Sequence, residues 1–68
     1  MKNWIVADKE HLGGTPRLRG TRISVAFLLE SLAADMTISE IVQAYPTLTE
    51  EAIRGALGEL AMEKKKAA

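Results

Sequence analysis

The chain has 68 residues, no cysteine, and nine basic against nine acidic residues, for a formal net charge of zero. Such a length predicts one domain that buries only roughly 60% of the surface its unfolded form exposes; with neither disulfides nor thiolate-metal cages available, a scaffold this small gains core by association, and a homodimer is expected. Zero net charge excludes a globally basic nucleic-acid binder but not a local basic patch, and a composition 47% hydrophobic and 26% charged with one Trp, one Tyr and one Phe excludes both a disordered chain and an aromatic stacking platform.

Trp4-Ile5-Val6 is β-branched or aromatic, ends at Asp8, and reads as a brief strand. Its apolar run is too short for a signal-peptide core, and nothing approaches the ~18 apolar residues of a membrane span; a cytoplasmic protein is expected. Residues 9–16 are turn material, with Gly13-Gly14 free to take positive φ and Pro16 holding Thr15 extended. Arg17-Leu18-Arg19 alternates charge with an apolar residue, Gly20-Thr21 punctuates, and Arg22-Ile23 is the expected second strand, pairing with residues 4–6 of the same chain or of a neighbour. A lone two-stranded ribbon is marginal in water, so it must pack on helices or pair across a dimer.

From Ser24 the period turns helical. Val25, Leu28, Leu29, Leu32 and Ala33 form an apolar stripe behind a Ser24 N-cap, with an end near Ala34-Asp35-Met36. Thr37-Ile38-Ser39-Glu40 fits a capping box for a second, short helix whose apolar face is Ile38, Ile41, Val42 and Tyr45. Pro46 stops it. A third helix begins at Thr49, or slightly earlier if Thr47 caps with Glu50, and its stripe is Ile53, Ala56, Leu57, Leu60 and Ala61. Glu50 and Glu51 at its start and Lys64 to Lys66 near its end both suit the helix dipole. The expected fold is mainly α: a short N-terminal β element and turn arm over residues 1–23, then a three-helix, helix-turn-helix core over 24–66.

Ile5-Val6-Ala7-Asp8, Gly13-Gly14-Thr15-Pro16-Arg17 and Gly20-Thr21-Arg22-Ile23-Ser24-Val25 are followed by Ile38-Ser39-Glu40-Ile41, Tyr45-Pro46, Leu48-Thr49 and Ile53-Arg54 with Ala56-Leu57. Together these blocks resemble the small bacterial proteins of the domain of unknown function 433 family, over residues 4–61. The resemblance implies a homeodomain-like, helix-turn-helix-type fold and the role of an antitoxin whose partner is a toxin with a PIN-like nuclease fold.

The most concentrated positive charge is Arg17, Arg19 and Arg22. Arginine offers planar bidentate recognition of phosphate or carboxylate. Three readings stay open: an arm tracking a nucleic-acid backbone or entering a minor groove, a set of cations docking into a nuclease's acidic site, or local ion pairs with Asp8, Glu10 or neighbours. The third helix would be the one to enter a major groove, but its first turn, Thr49-Glu50-Glu51, presents two carboxylates where phosphates would approach. Gly55 and Gly58 each cost that helix about 1 kcal/mol relative to Ala, and with Met62 they make a candidate association surface, bare enough for close approach of another chain. Trp4 is a further candidate, as a partner anchor or as packing for a small core.

Catalysis finds little support. His11 is the sole histidine, which excludes triads and zinc sites. Asp8, Glu10 and His11 are too close together in a short loop to make a persuasive metal cluster, and Gly13-Gly14-Thr15-Pro16 lacks the phosphate-loop pattern and is a chain-reversing turn. No cofactor and no metal are expected. The residues point to an interaction protein; the resemblance implies an antitoxin that neutralises a PIN-like ribonuclease, with repression of its own operon as an added role, and the alternative is a stand-alone helix-turn-helix regulator of transcription binding operator DNA.

Overall fold

The computed structural model describes residues 3–8 and 12–67. The element order is β1 (Ile5–Val6), a 3-10 turn (Leu12–Gly14), β2 (Arg17–Leu18), α1 (Val25–Ala33), α2 (Ile38–Ala44) and α3 (Glu50–Ala67). The fold is mainly helical, three helices behind a short two-stranded N-terminal sheet. No helix among the described residues is long and apolar enough to cross a membrane.

The ribbon is antiparallel, with Ile5 opposite Leu18 and Val6 opposite Arg17. Its second strand is Arg17–Leu18, not Arg22–Ile23. Gly20, at φ 79°, turns the chain immediately after β2. Residues 22–25 then fold back along the other edge of β2: the Leu18 N–H donates to the Ile23 carbonyl at 2.9 Å, and the Val25 N–H to the Pro16 carbonyl at 3.0 Å. Arg17 bridges Ser24 in the same antiparallel sense. The Ile5–Val6 strand thus finds its partner within its own chain.

The helix ends are fixed by local chemistry. Ser24 Oγ accepts the Phe27 N–H at 3.0 Å. Thr37 and Glu40 form the full capping box, at 3.0 and 2.8 Å, and Thr49 Oγ1 accepts the Ala52 N–H at 3.0 Å. Each satisfies an amide that the first helical turn leaves without a partner. After α1, the Asp35 N–H reaches the Leu32 carbonyl at 3.0 Å and the Met36 N–H reaches that of Ser31 at 3.1 Å. This is the paired closure of a Schellman end, with Asp35 at φ 69° in the left-handed position that Gly more often fills.

The core draws one buried side chain or more from every layer: Leu18 from β2, Leu28 from α1, Ile41 from α2, Leu48 from the α2–α3 turn, and Ile53 and Ala56 from α3. Each large one contributes about 1.5–3 kcal/mol by leaving water. The α1 stripe is turned from its expected setting. Val25, Leu28 and Ser31 are buried and Leu32 half-buried, whereas Leu29 and Ala33 face solvent. Adjacent Leu28 and Leu29 point about 100° apart on a helix, and a core this small covers only one of them. Ser31 is tolerated inside because its Oγ donates to the Phe27 carbonyl at 3.0 Å. On α3, Ala61 is likewise exposed, while Leu57 and Leu60 are half-buried.

Candidate functional site

The three arginines do not form one patch. Arg17 is 8% exposed. Its Nη1 donates to the Thr21 carbonyl at 3.1 Å, and its Nη2 makes an ion pair with Asp8 Oδ2 at 3.3 Å. The local-ion-pair reading therefore holds for Arg17. Arg19 is exposed and its guanidinium lies over the Trp4 ring, 5.3 Å from the centroid, within the range of a cation–π contact. Arg22 is exposed and has no ion pair or hydrogen bond among the described residues. An extended segment would have put Arg17 and Arg19 on one face with Leu18 pointing inward. Leu18 does point inward; the Arg19 N–H still donates to the Trp4 carbonyl at 2.8 Å, and what separates the two arginines is their partners, Asp8 and the Thr21 carbonyl for Arg17 and the Trp4 ring for Arg19.

The loop that carries Arg22 is held by Thr21. The buried Thr21 hydroxyl donates to the Leu18 carbonyl at 2.8 Å and accepts the Ile23 N–H at 3.0 Å. Gly20 supplies the positive φ and Thr21 satisfies the backbone groups that the turn exposes, so Arg22 projects from a fixed frame. Facing this loop is the α2–α3 turn. The Leu48 N–H donates to the Tyr45 carbonyl at 2.9 Å. The Tyr45 ring meets Phe27 edge-on, centroids 5.3 Å apart at 89°. Residues 20–23 and 45–47 thereby wall an open groove, with Arg17 also in its lining.

The start of α3 is acidic, as expected. Glu50 and Glu51 occupy its first turn, and Arg54 is paired with Glu50 at 3.6 Å. The cation nearest the helix start is thus already matched by a carboxylate of its own helix.

Gly55 and Gly58 have different surroundings. Gly55 lies beneath Trp4 of the same chain: a β-carbon there would fall 2.2 Å from Trp4 Nε1. The bare backbone at Gly55 is therefore used within the chain, and Trp4 packs against the core. A β-carbon at Gly58 would meet nothing within 4 Å, and Met62 is exposed. Of the candidate association surface, Gly58 and Met62 remain open to solvent. Glu10 and His11 lie outside the described residues.

One residue was not singled out by sequence reasoning. Glu59, on α3, accepts the backbone N–H of Trp4 through one carboxylate oxygen and that of Ile5, at 3.2 Å, through the other. It ties the ribbon to the last helix. No local pattern could have flagged it, because its partners are main-chain groups at the opposite end of the chain.

Among curated proteins, the chain is similar to "Uncharacterized protein y4eO" of Sinorhizobium fredii (strain NBRC 101917 / NGR234), 38% identical over 50 residues that cover 74% of this chain and 23% of that protein. The aligned part thus spans about a quarter of the relative's length. No solved structure matches the chain. The family model described as "Protein of unknown function (DUF433)" matches residues 5–58, from the first strand well into α3 and including the Gly20–Ile23 loop and the Tyr45-Pro46 turn, and the chain belongs to that family.

Proposed function

We propose that this chain is a cytoplasmic interaction module of the antitoxin kind, without catalysis of its own, which binds and neutralises a PIN-like ribonuclease partner as a homodimer. The observation that carries the reading is the placement of charge. Among the described residues, Arg22 stands without a carboxylate partner on a loop fixed by Thr21, whereas the N-terminal turn of α3 is acidic and its Arg54 is already paired. Non-specific affinity for DNA comes from neutralising phosphates, and Glu50 and Glu51 oppose it where a recognition helix would enter. An acidic protein surface meets no such obstacle at Arg19 and Arg22.

The experiment is a pull-down of the tagged protein from its native host, half of it treated with nuclease, with co-purifying proteins identified by mass spectrometry. A stoichiometric PIN-like protein is expected in both halves, and its loss from Arg19→Glu/Arg22→Glu. Recovery of nucleic acid alone, lost on nuclease treatment, would overturn the reading in favour of a DNA-binding regulator. Repression of its own operon is a second property of the proposed module, one that the acidic start of α3 works against. That property carries its own marker, a steep fall of operator affinity with salt.

A further inference from the structure

The groove beside Arg22 narrows what the partner must offer. It is about 700 Å³, in the range of small-molecule sites. Arg17, Arg22 and Ile23 line one side, and Tyr45, Pro46 and Thr47 the other. Among the described residues the lining holds two guanidinium groups and no carboxylate. The charge of Arg17 is already answered by Asp8, and its side chain is only 10% exposed; its buried Nε has no hydrogen-bond partner. Among the described residues, Arg22 is the groove's cation without an ion pair. The same lining includes the apolar residues Ile23 and Pro46 and the aromatic Tyr45. Both walls are set before anything binds, one by the Thr21 hydroxyl and the other by the Phe27–Tyr45 edge contact, so little ordering cost remains.

We propose that this groove receives an acidic side chain of a protein partner, a Glu or Asp flanked by an apolar residue. Arg22 is its carboxylate ligand, and Ile23, Tyr45 and Pro46 are the walls for the apolar neighbour. The inference rests on the interaction-module reading and reverses the geometry of the contact. A guanidinium bordering a concave groove takes in the partner's carboxylate; it does not reach out into the partner's active site. A single unanswered cation amid apolar walls matches one carboxylate. A nucleic-acid backbone, by contrast, rewards a row of cations.

The test is an NMR titration of the full 15N-labelled chain with the blocked peptide acetyl-Gly-Leu-Glu-Leu-Gly-amide, its Gln counterpart, inorganic phosphate, and a random-sequence DNA duplex. Saturable shifts are expected at the amides of Gly20, Thr21, Arg22, Ile23 and Thr47 with the Glu peptide. Binding should weaken at least about tenfold with the Gln peptide or in Arg22→Gln, whose unchanged spectrum elsewhere reports an intact fold. Equal responses to the Glu and Gln peptides, an Arg22→Gln variant that binds like the wild type, no response at these amides, or a stronger response there to phosphate or duplex would each overturn the proposal. The pull-down separates this failure from that of the wider reading. A protein partner retained equally by wild type and Arg22→Gln sinks the groove and spares the module. If no protein partner is retained by either, the module reading falls and the peptide titration alone decides the groove.

Discussion

A β-carbon at Gly55 would fall 2.2–2.6 Å from three atoms of the Trp4 indole, and those are ring atoms that move only if the whole indole moves. Gly55→Ala should therefore cost stability, about 1–3 kcal/mol of overpacking against the ~1 kcal/mol that Ala gains in helix propensity. Gly58→Ala meets nothing within 4 Å and should keep the whole propensity gain, about 1 kcal/mol. Urea denaturation of the two variants checks this, with the emission of the single tryptophan as a second readout that should shift to the red only in Gly55→Ala. A Gly55→Ala protein as stable as Gly58→Ala would show that the indole does not hold its place. Both glycines were visible in the sequence as residues that weaken a helix. What distinguishes them is Trp4, which arrives from the other end of the chain. The arginines show a similar limit. Their clustering was legible, but the partners that distinguish them, Asp8 and the Thr21 carbonyl for Arg17 and the Trp4 ring for Arg19, were not.

At the scale of elements, what is local was legible. The Ser24 cap and the Thr37–Glu40 box join groups three residues apart, and the stop at Pro46 is a property of the residue itself, so their chemistry is written in consecutive letters; at α3 the start lies one residue later than expected, since Thr49 caps the helix rather than opening it. Pairing between segments is not written that way. The second strand was displaced because Gly20 folds residues 22–25 onto the far edge of β2, and Glu59 was missed because its partners are backbone amides. Glu59 also gives β1 its footing, since a two-residue strand has little else to hold it. Removing the carboxylate in Glu59→Ala strands the amides of Trp4 and Ile5. The expected cost is about 1–3 kcal/mol, with faster hydrogen exchange at those two amides than global unfolding explains. Glu59→Gln, which keeps one carbonyl acceptor, should fall between. Exchange at Trp4 and Ile5 unchanged in Glu59→Ala would refute the tie.

For the whole molecule, the small core leaves apolar surface uncovered. Leu29 is 43% exposed and borders a second groove, about 530 Å³, together with Ile5, Val6, Pro16, Val25 and Leu60. The proposed homodimer would find its apolar contact here more readily than at Gly55, which Trp4 fills. Leu29→Lys is the variant to make. A surface change of this kind leaves monomer stability within about 0.5 kcal/mol. It should convert a dimer to a monomer in sedimentation equilibrium while the helical circular dichroism stays the same. A wild-type chain that is monomeric at every concentration, or a Leu29→Lys chain that still pairs, would remove this surface from consideration.

The bond from Glu59 to Trp4 joins groups separated by 55 positions, and this has a consequence for the chain as it is made. A ribosome adds about 5–20 residues per second, so the N-terminal ribbon emerges on the order of several seconds before the helix that anchors it. Throughout that interval Trp4 lacks its glycine seat and Leu18 lacks Ile53 and Ala56 to pack against. A nascent chain stalled short of α3 should accordingly be open to proteases along its emerged length, and resistance should appear in one step when a C-terminal linker carries Glu59 out of the exit tunnel.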